Sequence, residues 1–142
     1  MLTITIFEHD SKKIDSVVSL LLTRKIRNLN YSRQISMCLE KTNEVLRPLQ
    51  GLLVALNAIH NKTGTIEIKA KNLKAEDISE NQDADDFSES LKSKILNLMG
   101  KYDSIFVSDC DLDDATITVL KDKTANFLNL SARYMDYGTL IG

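Results

Sequence analysis

The sequence predicts one α/β domain with a mostly parallel central sheet and helices on both faces. Three observations lead there. Short β-branched stretches alternate with longer segments of helical apolar spacing along the chain. Two of the short stretches end in acids. The 142 residues, 43% apolar and 27% charged, suffice for one hydrophobic core and leave no room for two substantial ones.

The elements follow in order. Leu2–Phe7 alternates and is β-branched, a strand that runs into Glu8-His9-Asp10-Ser11. Asp10 or Ser11 is placed to cap a helix from Lys12 to about Arg27, where Ile14, Val17, Val18, Leu21, Leu22 and Ile26 share one helical face. Residues 32–39 read as a strand with Ile35, Met37 and Leu39 on one side. A long apolar helix follows, with Val45, Leu46, Leu49, Leu52, Leu53, Leu56 and Ile59; Pro48 starts or kinks it, because proline lacks the donor that a helix interior needs. Thr65–Lys71 alternates as a strand after the turn at Asn61–Gly64. Residues 74–86 are acidic and poor in large apolar groups, a solvated loop. A helix from about Asp86 to Met99, stopped by Gly100, precedes the strand Ser104–Val107. One more helix spans about Ala115 to Leu128, and the tail from Arg133 to Ile141 has room for an edge strand.

Charge and cysteine usage exclude several classes. A formal net charge of −2 gives no overall basic field, so nucleic-acid contact has to be local or assisted by a metal or partner protein. Cys38 and Cys110 form neither a disulfide framework nor a zinc pair. No apolar run approaches the roughly 20 residues needed to span a bilayer, and the first residues lack a basic signal-peptide region. The expectation is a cytoplasmic protein with no membrane association.

The acids carry the chemistry. Glu8 closes the first strand; Asp109, followed by Asp111, Asp113 and Asp114, closes Ser104–Val107. Ligand sites in open α/β sheets lie beyond the carboxyl ends of the strands. If these two strands are neighbours, Glu8 and Asp109 converge, and carboxylates that repel one another are relieved by a hard cation such as Mg2+ or Mn2+. Asp113 and Asp114 also stand where a helix begins, so capping competes with metal binding there.

The stretch Tyr102–Ile117, with Asp109-Cys110-Asp111-Leu112-Asp113, resembles the D-x-D segment of Toprim domains, and Thr3–Glu8 followed by Lys12, Val17 and Leu21 resembles their glutamate motif. The spacing of about a hundred residues between the two is similar to that in type IA DNA topoisomerases. The resemblance implies a Rossmann-like Toprim fold, Glu8 as a catalytic acid or base, Asp109, Asp111 and Asp113 as Mg2+ ligands, Lys12 as a substrate phosphate contact, and DNA or RNA as the partner. Two departures stand out: Asp114 replaces the usual glycine and Asp10 replaces a proline. A topoisomerase also needs a nucleophilic tyrosine on a further domain, so strand passage is not expected of this chain.

Other readings fit less well. A receiver-like domain wants its phosphoacceptor aspartate near the middle of the chain, a PIN nuclease wants an aspartate within strand one, and an EF-hand wants a central glycine and terminal glutamate that the Asp109 run lacks. Two functions remain: a Mg2+-dependent nuclease or topoisomerase-related enzyme, and a non-catalytic Toprim-like or receiver-like module that docks on a partner protein.

Overall fold

The computed structural model describes residues 2–9, 16–39, 46–60, 64–70, 73, 86–108, 113–128 and 134–140. Six strands, β1 (Leu2–His9), β2 (Ser16–Ile26), β3 (Leu29–Leu39), β4 (Thr65–Ala70), β5 (Ser104–Ser108) and β6 (Tyr134–Thr139), form one sheet in the order β5-β4-β1-β2-β3-β6. The described helices are α1 (Leu46–Ala58), α2 (Asp86–Met99) and α3 (Asp114–Leu128).

The sheet is mixed, which corrects the mostly parallel arrangement expected from the sequence. Strands β1, β2 and β3 make an antiparallel meander and β6 adds to β3 antiparallel; only the β1–β4 and β4–β5 pairs are parallel. The error lies in one segment. Residues 16–26 form β2, not the helix expected from Lys12 to Arg27. β2 is paired on both edges by β1 and β3, and both its faces are covered as well: Val18, Leu20 and Leu22 point one way, Val17 and Ser19 the other, all buried. A strand buried on both faces loses its alternation and reads as a continuous apolar run, which a helical template fits equally well.

The remaining segments form the elements that their spacing predicts. β4, β5 and α2 fall where expected, β3 begins three residues early at Leu29, α3 begins one residue early, and the tail supplies the edge strand β6. α1 starts at Leu46, so Pro48 sits in its first turn, where backbone donors have no intrahelical acceptor and the missing N–H costs nothing. The acidic stretch 74–85 lies outside the described residues.

The two faces of the sheet differ in chemistry. On one, Leu2, Ile4 and Ile6 of β1, Val18, Leu20 and Leu22 of β2, Ile35 and Met37 of β3, and Ile66 and Ile68 of β4 meet Leu49, Leu52 and Leu56 of α1 and Leu91 and Ile95 of α2 in one apolar core. On the other, α3 docks through hydrogen bonds. Thr124 Oγ1 lies 3.0 Å from Ser36 Oγ, which is 2.7 Å from Ser19 Oγ. Gln34 Nε2 donates to Thr124 Oγ1 at 3.0 Å and to the Leu120 carbonyl at 3.2 Å. All four polar side chains are buried, and their mutual pairing meets the requirement that buried polar atoms find partners.

Gly138 allows β6 to join. Its φ is +99°, and a Cβ built there would lie 2.5 Å from the Ser32 carbonyl oxygen of β3. Both the left-handed backbone and the contact exclude a side chain. Gly138→Ala is therefore expected to lower stability by about 2 kcal/mol, read as a reduced urea midpoint, by displacing β6. An unchanged midpoint would contradict this placement of β6.

Candidate functional site at the carboxyl edge of β1, β4 and β5

Because β1, β4 and β5 are parallel, their carboxyl ends share one edge of the sheet. Glu8 stands there, on the apolar-core face, two residues beyond Ile6. α1 runs over the same face. Gly51 lies so close that a Cβ would meet Val18 Cγ1 at 2.9 Å, Leu20 Cδ2 at 3.0 Å and Ile6 Cγ2 at 3.8 Å. Arg47 precedes Gly51 by four residues and so shares its helix face. Four helical residues rise about 6 Å, and two strand residues rise about 6.6 Å, so stepping back from Gly51 along α1 matches stepping forward from Ile6 along β1. Arg47 arrives at Glu8: its Nε donates to Glu8 Oε2 at 3.0 Å, with side chains 13% and 30% exposed.

This ion pair determines what Glu8 can do. The expected role for Glu8 rested on an unpaired acid needing a cation, and here the guanidinium of Arg47 supplies the positive charge. Among the described residues, little acid stands near it. The first turn of α1 carries no acidic residue. β4, the parallel neighbour of β1, ends at Ala70 and is followed in sequence by Lys71 and Asn72. Glu67 of β4 is on the opposite face, its Oε1 3.2 Å from Lys69 Nζ. Among the described residues no three His, Cys, Asp or Glu side chains stand close enough to hold a metal ion. Asp109 and Asp111, the expected partners of Glu8 at a Mg2+ or Mn2+ ion, lie outside the described residues.

The other sequence-predicted residues divide in two groups. Asp109, Asp111 and Lys12 lie outside the described residues, as do Asp10 and Cys110. The frame around Asp109 is described up to Ser108. Ser108 is in register with Lys69, and Lys69 with Thr5, so β4 separates the ends of β1 and β5 and Glu8 lies three residues further along. Two strand spacings and three residues of rise put the Cα atoms of Glu8 and Ser108 on the order of 14 Å apart. The two strands that end in acids share an edge without being neighbours. Asp113 is described and caps α3: the Thr116 amide donates to its Oδ1 at 2.7 Å, and the Ile117 amide to its carbonyl at 3.0 Å. Hydrogen bonding from the Thr116 side chain, and then from its amide, holds the exposed Asp113 carboxyl below its usual range.

Arg47 is the site residue that sequence reasoning missed. Its signal was available, as the only arginine on the apolar helix and one turn before the glycine that marks the close approach.

Comparison with solved structures identifies the architecture. RNase H1 from the halophilic archaeon Halobacterium salinarum superposes with a TM-score of 0.56 at 11% identity, over 92% of this chain and 98% of that one. The N-terminal RNase H domain of a Mycobacterium tuberculosis protein, solved as a fusion with maltose-binding protein, gives 0.54 at 11% identity, over 82% and 90%. The fold is that of RNase H. No protein-family model and no curated protein sequence matches the chain. The Toprim resemblance, and with it the Rossmann-like assignment, is therefore corrected. An acid closing a first strand and an acid run between a strand and a helix are local features of many α/β sheets. The distinguishing element is β2, a hairpin strand where the Toprim reading requires a crossover helix. Among the described residues no helix is long and apolar enough to cross a membrane.

If Arg47 is the counter-ion of Glu8, the two are energetically coupled. A double-mutant cycle of Glu8→Gln and Arg47→Leu is expected to show about 1 kcal/mol of coupling in urea unfolding, the upper range for a pair with one partner partly exposed. Additive losses would show that Glu8 is not anchored by Arg47.

Proposed function

We propose that this chain is a nucleic-acid-binding protein of RNase H fold that does not cut phosphodiesters at the β1 edge. The fold supports the ligand class, with an RNA–DNA hybrid as the ligand that RNase H architecture suggests. The Glu8–Arg47 ion pair carries the second half of the proposal. Metal-assisted phosphodiester cleavage needs carboxylates free to accept a hard cation and to face substrate phosphate. A carboxylate engaged by a guanidinium, beside a helix turn without acids and a strand end followed by lysine, offers neither. A carboxylate already matched by a guanidinium suits binding better than catalysis.

One observation favours a cleaving alternative. The carboxyl ends of β1, β4 and β5 share one edge, and Asp109 and Asp111 follow β5 directly in sequence. In that reading these aspartates hold Mg2+ or Mn2+ and the protein is a nuclease.

One experiment separates the two. A labelled RNA–DNA hybrid is incubated with purified protein with and without Mg2+ or Mn2+, and binding is followed by anisotropy and cleavage by gel. Binding without metal and no product is the expected result. Metal-dependent cleavage that Asp109→Asn/Asp111→Asn abolishes would overturn the proposal in favour of the nuclease.

A further inference from the structure

We propose that the β2–β3 hairpin is the surface that grips the nucleic-acid backbone, at the end of the sheet opposite Glu8. The inference rests on the binding function proposed above and gives it a location. From Ser16 to Leu39 the chain has no Asp or Glu and four bases, Arg24, Lys25, Arg27 and Arg33, in a protein whose net charge is −2. The charge is concentrated where overall composition hides it.

The hairpin also projects. Pairing between β1 and β2 reaches Arg24, opposite Leu2, and pairing between β3 and β6 reaches Ser32, opposite Thr139. Beyond those positions β2 and β3 pair only with each other among the described residues, through Lys25 with Asn30 and Ile26 with Leu29. The result is a two-stranded ribbon whose tip exposes Lys25, Arg27, Asn28, Leu29 and Asn30. Cations on such an exposed ribbon are placed to neutralise the phosphates of a nucleic-acid backbone lying against it.

Arg33 and Arg24 stand at the base. The Arg33 guanidinium is matched by Asp136 through a two-pronged contact, Nε to Oδ1 at 2.9 Å and Nη2 to Oδ2 at 2.6 Å, which fixes β6 to the hairpin stem. Arg24 is half-buried beside the stem. Lys25 and Arg27 are the exposed cations of the tip.

The turn carries a second sign. Arg27 has a φ of +53° at the first position of a two-residue turn, where glycine or asparagine ordinarily sits. An arginine held in that conformation keeps a strain that glycine would relieve, and strained backbone of this kind concentrates at functional positions. Nucleic acid fits this tip better than a membrane surface. The tip exposes a single large apolar side chain, Leu29, between two asparagines, whereas interfacial insertion needs a broad apolar face.

The test uses anisotropy of a labelled RNA–DNA hybrid over a range of salt. Lys25→Ala/Arg27→Gly removes two tip charges, and glycine takes the Arg27 backbone conformation without strain, so folding is preserved. Lys94→Ala, on the exposed side of α2, removes one charge elsewhere. The tip variant is expected to bind roughly tenfold more weakly near 0.1 M salt and to reduce the slope of log affinity against log salt by about 2, with Lys94→Ala close to wild type. Full affinity in the tip variant would overturn this location and leave the proposed function standing. Absence of hybrid binding by the wild type would overturn both. Tighter association of the wild type with phosphatidylserine vesicles than with the hybrid would replace nucleic acid by an anionic lipid surface.

Discussion

Gly51 sets how deeply α1 sits on the sheet, and much of the molecule follows from that depth. With only hydrogen at this position, α1 approaches Val18 and Leu20 until a methyl group would no longer fit. The approach closes the apolar core, with Leu49, Leu52 and Leu56 of the helix and Ile4, Ile6 and Leu20 of the sheet all fully or almost fully buried. It also fixes what lies one turn earlier. Arg47 shares the face of Gly51 and is carried onto Glu8, so the same packing that builds the core brings a guanidinium to the acid at the end of β1. Core geometry and site electrostatics are two consequences of one contact.

The opposite face follows a different principle. α3 is held by Thr124, Gln34, Ser36 and Ser19, a chain of buried hydroxyl and amide groups that satisfy one another. Such bonds add little net stability compared with apolar burial, but a buried polar group left unpaired is costly, so they fix the position of the helix. At the far edge, Gly138 and the Arg33–Asp136 pair attach β6 to β3. Hydrogen bonding and attraction to Arg33 hold the Asp136 carboxyl below its usual range, consistent with a pair formed despite partial exposure.

Elements with one buried face were legible in the sequence. β4 alternates strictly, Ile66 and Ile68 inward and Glu67 and Lys69 outward, and α2 keeps Leu91 and Ile95 on one stripe up to Gly100. β2 was not legible, because a strand buried on both sides has Val17, Val18, Leu20 and Leu22 all inside and no period left to detect. That one segment changed the fold: as a helix it implies a parallel sheet, and as a strand it makes the antiparallel meander β1-β2-β3. The site was legible in part. Glu8 at a strand end was visible; Arg47 stood out as the only arginine of the apolar helix, but its pairing with Glu8 depends on how α1 crosses the sheet. The capping role of Asp113 was one of two readings open from its place before a helix, and the structure shows it. The basic hairpin was masked by reading Arg24 to Arg27 as the end of a helix.

In the proposed function Arg47, and not a metal ion, neutralises Glu8. Crystals grown in excess Mn2+ test it most directly, through anomalous difference density at the manganese edge. The expected result is no peak within coordination distance of Glu8 and an intact contact from Arg47 Nε to its carboxylate. A manganese peak bound by Glu8 together with Asp109 or Asp111, with Arg47 turned away, would contradict it.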